Sequence, residues 1–232
     1  QAILVDVATG TVLFEKNADE RMAPSSMSKM MTIYQVFDAL KEGSLSLDDK
    51  FLVSEKAWRK GGSKMYVSVN SRVNVEDLLK GVIVQSGNDA SIVIAEGLAG
   101  SEAAFALELN ELAKTLSMTN SSFVNASGWP DPDHYTTARD LSKLARATIN
   151  NFPDYYHYYS QKSFTYSGIK QFNRNPTLYR KLGADGLKTG RTQTAGFGLT
   201  ASAIRKDRRL VLVLNGLSSS KSRANESARI LD

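Results

Sequence analysis

Hydrophobic positions fall into two regimes along the chain. β-rich apolar runs stand at both ends, and apolar residues spaced three and four apart fill the middle. Ala2–Val7 and Thr11–Phe14 flank Ala8-Thr9-Gly10 and predict a hairpin. Gly186–Thr192, Gly196–Ile204 and Leu210–Asn215 predict further strands. Between these ends, Met30, Ile33, Tyr34, Phe37 and Leu40 recur at helical spacing over Ser26–Leu40, with Pro24 before and Gly43 after. Met27, Met31 and Val36 widen that stripe, so this helix is expected to be buried nearly all round.

More helices follow. One carries Leu78, Leu79 and Val82 behind a cap at Asn74; Ser91–Leu98 and Glu102–Leu116 come next, divided by Gly100. Another carries Leu141, Leu144, Ala145 and Ile149 behind the capping-box pattern Thr137-Ala138-Arg139-Asp140. Gly128-Trp129-Pro130-Asp131-Pro132 reads as a loop, since proline serves neither helix nor ladder. Tyr155, Tyr156, Tyr158 and Tyr159 predict a partly buried cluster, and Lys221–Leu231 a closing helix. Strands at both ends of a helical middle predict an α+β fold. One antiparallel sheet would form from about residues 1–16 and 186–215, with helices on both faces and a mostly helical region over about 26–150.

Composition narrows the chemistry. The chain has 232 residues, a formal net charge of +5, no cysteine and two histidines, His134 and His157. That removes thiol nucleophiles, disulfides and cysteine-based metal sites, and makes a histidine metal centre a poor expectation. Neither a metal nor a cofactor is expected. The densest basic patch, Arg205, Lys206, Arg208 and Arg209, lies between apolar runs and predicts a solvated hairpin turn; nucleic acid is not an expected partner. No apolar run approaches the ~18 residues of a membrane span, and QAILVDV carries no signal-peptide pattern. Chemistry must come from hydroxyls, amines, amides and carboxylates.

Ser26 and Lys29 lie three apart at the start of the apolar helix and share a face. A lysine held among apolar neighbours disfavours its ammonium form and can take a serine proton. Alone, the pair more often means a capping serine and a surface lysine. Ser-x-x-Lys also occurs at Ser167 and Ser218, in a turn and a polar loop. Ser86-Gly87-Asn88 falls between two helices, and Lys188-Thr189-Gly190 falls in a predicted strand.

Nucleophile helix, inter-helix Ser-x-Asn and late Lys-Thr-Gly strand, in that order, resemble the penicilloyl-serine transferases. The wider matches Asp6–Lys16, Ala23–Thr32, Gln85–Ala90 and Asp185–Thr192 resemble the D-alanyl-D-alanine carboxypeptidases among the low-molecular-mass penicillin-binding proteins. The resemblance runs from Asp6 to Leu231. It implies a Ser26 acyl-enzyme that releases the terminal D-Ala of peptidoglycan stem peptides and is acylated by β-lactams. It implies Lys29 as base, Ser86 as proton relay near Lys188, Asn88 on the substrate amide, and backbone N–H groups of Ser26 and Arg191 as oxyanion hole. Lys188, Thr189 and Arg223 would meet the substrate carboxylate, and Gly190 would let a peptide lie along the strand. It further implies a single catalytic domain over 1–232, without the family's C-terminal β-domain and membrane anchor, working in the periplasm or on the outer face of the cytoplasmic membrane.

Rival readings differ in the residues they need. A class A-type β-lactamase needs a glutamate to activate the deacylating water, and Asn120–Tyr135 holds none. A catalytically silent binding module would lose motif residues, yet all are present. A histidine triad finds no recognisable nucleophile context; His134, beside the proline loop, is expected at the cleft rim.

Overall fold

A computed structural model describes residues 1–232. β1 (Ala2–Asp6) and β2 (Val12–Lys16) form the opening hairpin, closed by the Asp6 carboxylate accepting the Thr9 N–H at 2.9 Å. The apolar stripe that follows begins not as an α-helix but as a 3-10 turn, Ser25–Ser28; α1 (Lys29–Glu42) continues from it. Ser25 sits at a left-handed φ of 53°, which an α-helical first turn does not allow. As its pattern predicts, α1 is buried on nearly every side.

The middle region interleaves helices with small strands that the sequence pattern does not predict. β3 (Lys50–Leu52), α2 (Glu55–Arg59) and β4 (Arg72–Asn74) precede α3 (Val75–Val84), α4 (Asn88–Ala99), α5 (Glu102–Thr115) and α6 (Ala138–Asn151). Asn74, Ser101 and Thr137 cap α3, α5 and α6 with side-chain oxygens. At α6 only half of the capping box forms. Thr137 accepts the Asp140 N–H, but the Asp140 carboxylate turns to the Asn120 N–H and the Ser121 hydroxyl. Aspartate is one methylene shorter than the glutamate that closes such a box. A second hairpin, β5 (Ser163–Tyr166) with β6 (Ile169–Phe172), turns at Ser167-Gly168.

β7 (Ala184–Thr192), β8 (Gly196–Arg205) and β9 (Arg208–Leu217) lead into α7 (Ser220–Leu231), capped by Ser219. The main sheet has the order β2-β1-β9-β8-β7, antiparallel throughout. Alternation sorts its side chains. Ile3, Val5, Val211 and Val213 join the large core with α1 and α6, whereas Ala2, Leu4, Leu210, Leu212 and Leu214 pack with Leu231 of α7 on the other face. The fold is thus α+β with both sheet faces covered. β7 is one edge of the sheet, and the 3-10 turn carrying Ser26 packs against it. No single helix is long and apolar enough to cross a membrane.

Candidate active site

Ser26 stands half-buried in the 3-10 turn, whose first backbone bond runs from the Met27 N–H to the Pro24 carbonyl at 3.1 Å. One turn on, Lys29 is fully buried. Its Nζ lies 2.8 Å from Ser26 Oγ, 2.7 Å from Asn88 Oδ1 and 2.7 Å from the Ser127 carbonyl. Burial, followed by the Arg174 charge, lowers its pKa to about 7, against the opposing pull of the Asp89 carboxylate. A neutral Lys29 has two hydrogens and one lone pair. The two pure acceptors take the hydrogens, which leaves the lone pair facing the Ser26 hydroxyl.

The second pair faces the first across the cleft. Lys188 Nζ donates to Ser86 Oγ at 2.9 Å and to the Thr189 carbonyl at 3.2 Å. Burial pushes the Lys188 pKa well down, helped by the charges of Lys29, Arg174 and Arg223. Ser86, like Ser25, holds a positive φ, here 55°, so both hydroxyl-bearing loops are bent into sparsely populated backbone.

Asn88 lines the cleft and is held at both ends of its amide. Its Oδ1 faces Lys29 and its Nδ2 donates to the Gly61 carbonyl at 2.9 Å, so both ends tie protein elements together. The neighbouring Asp89, fully buried, accepts N–H groups from Met65, Tyr66, Val67 and Ala90. Together the two residues fix the 61–67 loop as one wall of the cleft.

Two glycines set how closely the walls approach. A Cβ on Gly190 would lie 2.9 Å from the Pro24 carbonyl oxygen and 3.0 Å from Ser25 Cβ. Its missing side chain therefore makes room for the turn that carries Ser26. Gly128, at φ +80°, is tighter: its Cβ would fall 1.8 Å from the Ser25 carbonyl oxygen. His134 is not at the rim. It is buried behind the same turn, with Nδ1 accepting the Val124 N–H at 3.1 Å and Nε2 2.6 Å from Ser28 Oγ. Burial lowers its pKa to about 4, and the Val124 bond fixes the neutral form with its hydrogen on Nε2.

Ser26 divides the cleft. One half, of about 470 Å³, is lined by Gly62, Asn88, Ser127, Trp129, Arg191 and Thr194 among others. The other, of about 520 Å³, is lined by Ser86, Arg174, Thr189, Arg191, Phe197 and Arg223 among others. Arg223 is buried, its Nη groups 3.4 Å from the Gly198 and Arg174 carbonyls, and its pKa is lowered to about 10 by burial and then by Arg174. Ser26, Ser86, Asn88, Thr189, Gly190, Arg191 and Arg223 thus line the cleft, and Lys29 and Lys188 touch residues that do. Sequence reasoning missed Arg174, Asp89, Gly128 and the Ser127 carbonyl. Asp89 carried a signal, an acid directly after Ser-x-Asn at the head of an apolar helix; the others carried none.

A half-buried Ser26 against a buried Lys29, a Ser-x-Asn loop and a Lys-Thr-Gly edge strand around one cleft form an arrangement in which a serine can be activated for acyl transfer without histidine. Residues 1–218 match the model of the D-alanyl-D-alanine carboxypeptidase family, and the chain belongs to that family. It is 42% identical to the D-alanyl-D-alanine carboxypeptidase DacC of Escherichia coli over 99% of this chain and 59% of the relative. Penicillin binding protein 5 from Haemophilus influenzae superposes with a TM-score of 0.96 at 39% identity, over 99% of this chain and 68% of that one. Penicillin-Binding Protein D2 from Listeria monocytogenes, solved in its ampicillin-bound form, gives 0.88 at 30% identity, over 99% and 95%. The chain spans between 59% and 61% of the length of the curated relatives DacC, DacD and DacA.

Proposed function

We propose that residues 1–232 act as one catalytic unit, a serine D-alanyl-D-alanine carboxypeptidase acting on peptidoglycan stem peptides. The observation that carries this reading is the set of partners around Lys29 Nζ. Two pure acceptors use its hydrogens, and its lone pair meets the Ser26 hydroxyl at 2.8 Å. With a pKa near 7, a large share of Lys29 is an unprotonated base at neutral pH.

Ser26 Oγ attacks the carbonyl of the penultimate D-Ala as its proton passes to Lys29. The oxyanion is received by the backbone N–H groups of Ser26 and Arg191, donors of a kind whose loss costs about 10²–10³ in rate. Ser86, donated to by Lys188, relays a proton to the amine of the departing D-Ala. The carboxylate of that residue meets Thr189, Arg223 and Lys188. Asn88 and the Ser127 carbonyl orient the base. Water then opens the ester and frees Ser26.

By the same reading β-lactams acylate Ser26 and leave slowly. Glu102, which reaches the Ser127 loop at the Ala126 N–H, is also held by Lys56 at 2.8 Å. The work belongs in the periplasm or on the outer face of the cytoplasmic membrane, where the stem peptides are. Incubation with a penicillin should add one penicillin mass at Ser26, as read by intact mass and peptide mapping. D-Ala should be released from a D-Ala-D-Ala peptide by the native chain and not by Ser26→Ala. No adduct and no release would refute the reading.

A further inference from the structure

The charge of the chain is unevenly spread. Tyr155–Ala184 holds Lys162, Lys170, Arg174, Arg180 and Lys181 and no Asp or Glu, so this segment carries the whole net charge of +5 and the rest of the chain is neutral. The fold sharpens the contrast. The densest basic run in the sequence is neutralised, because Arg205, Arg208 and Arg209 meet the carboxylates of Asp232, Asp6 and Asp185. None of the five cations in the segment meets a carboxylate. Arg174 donates to Ser63 Oγ at 2.7 Å and Arg180 to Asn225 Oδ1 at 3.2 Å, both neutral oxygens.

These cations share an exposed surface with two aromatic rings. Phe172 pairs with Ser163 and Lys170 with Thr165, so both lie on the outer face of the β5–β6 hairpin. Gln171 turns inward and donates to the Lys64 carbonyl at 2.9 Å, which ties the hairpin to the 61–67 wall of the cleft. Tyr179 joins the outer face, its hydroxyl donating to the Lys162 and Asn173 carbonyls at 2.9 Å. Phe172 is 62% exposed and Tyr179 51%. Each ring carries an ammonium: Lys170 Nζ is 5.3 Å from the Phe172 centroid, and Lys162 Nζ 5.9 Å from that of Tyr179. Arg174, at most about 7 Å of chain beyond Phe172, lines the cleft itself. The basic surface therefore runs up to the mouth of the site.

A surface of unpaired cations beside open rings fits a ligand that is anionic and also offers apolar faces. A glycan strand bearing carboxylate-ended peptides supplies both. Two rings are too few to enter a bilayer as the apolar face of an interfacial helix does. We propose that the β5–β6 hairpin and the segment after it form an exosite for the peptidoglycan polymer, holding one part of a strand while a stem peptide from another part enters the cleft. This rests on the carboxypeptidase reading above and adds a second contact to it. A strand held there presents its other stem peptides at raised local concentration, without altering the chemistry at Ser26.

The test compares the native chain with Lys162→Gln/Lys170→Gln/Lys181→Gln and with a control that removes the same charge elsewhere, Lys16→Gln/Lys50→Gln/Lys206→Gln. Co-sedimentation with purified insoluble peptidoglycan reads the exosite, and D-Ala release from a short soluble D-Ala-D-Ala peptide reads the cleft alone. The hairpin variant should bind the polymer about tenfold more weakly, the low end of what focused surface charge supplies, and the control close to native. All three should release D-Ala from the short peptide alike. Native binding should fall by a similar factor near 1 M salt, where the screening length is about 3 Å. Equal losses in hairpin variant and control, or no loss in either, overturn the proposal. So does a native chain that sediments with vesicles of phosphatidylglycerol and phosphatidylcholine but not with peptidoglycan. Failure to release D-Ala from the short peptide overturns the carboxypeptidase reading instead, so the two failures are distinguishable.

Discussion

Gly128→Ala tests whether the nucleophile turn is held in place by close approach of the Ser127–Gly128 loop. The added Cβ would fall 1.8 Å from the Ser25 carbonyl oxygen, 1.2 Å short of the 3.0 Å below which such contacts essentially never fall. Either the turn or the loop must move by about that much, and each move damages catalysis. Shifting the turn displaces Ser26; shifting the loop pulls the Ser127 carbonyl from Lys29. A misplacement of about 1 Å costs roughly 10² in rate, or about 2.7 kcal/mol of barrier. A second cost, about 1–2 kcal/mol, comes from placing alanine at a left-handed φ. Gly100→Ala separates the two: it shares the conformational penalty, at φ +81°, but a Cβ there meets nothing within 4 Å. The assay is the rate of acylation by a fluorescent penicillin, paired with thermal unfolding. Gly100→Ala should lose about 1 kcal/mol of stability and acylate at the native rate. Gly128→Ala should lose more stability and about a hundredfold in acylation. A Gly128→Ala protein that acylates at the native rate would refute the reasoning.

Other expectations follow from the charges. Acylation by a neutral β-lactam should rise about tenfold per pH unit up to a midpoint near 7, because Lys29 must lose its proton to act, as a pH–rate profile will record. Asp89→Asn should move that midpoint to lower pH, since it removes the carboxylate that holds Lys29's proton affinity up; a midpoint that moves upward contradicts the assignment. His134 has a folded pKa of about 4 against 6.5 for the free side chain, so the unfolded chain binds more protons between those values. Stability should therefore fall as pH drops through that window, by up to about 3 kcal/mol, and level off below it. Chemical denaturation of the native chain and of His134→Gln at pH 7 and pH 4 measures this: the variant should lose most of the pH dependence.

The architecture was legible where one residue type repeats at one spacing. The stripe of α1 and the outer runs of β1 and β9 announce themselves because burial of each follows from period alone. The start of α1 was not. Ser25 adopts a left-handed φ beside Gly128, which lies about a hundred positions later in the chain, and no local pattern records such a contact. The β3–β4 and β5–β6 pairs are three and four residues long, too short for alternation to stand out from loop. Within the site, Ser26, Lys29, Ser86 and Lys188 were legible as motif side chains. The Ser127 carbonyl was not, because a main-chain acceptor leaves no mark in the residue type. Arg174 was missed because its place depends on where the chain after β6 returns, and the closeness of Gly190 to the turn of Ser26 is likewise a contact between distant segments.

The two lysines have an electrical consequence. In the proposed reaction Lys29 gains a positive charge at the moment it accepts the Ser26 proton, and that charge lowers the proton affinity of Lys188, which is held on Ser86 at 2.9 Å. The buried pair behaves like two vessels joined by a pipe: filling one raises the pressure in the other. Bond formation on one side of the scissile carbonyl thus primes proton delivery to the amine on the other side. Replacing either lysine by an uncharged residue should uncouple the two halves of the reaction, rather than merely slow one of them.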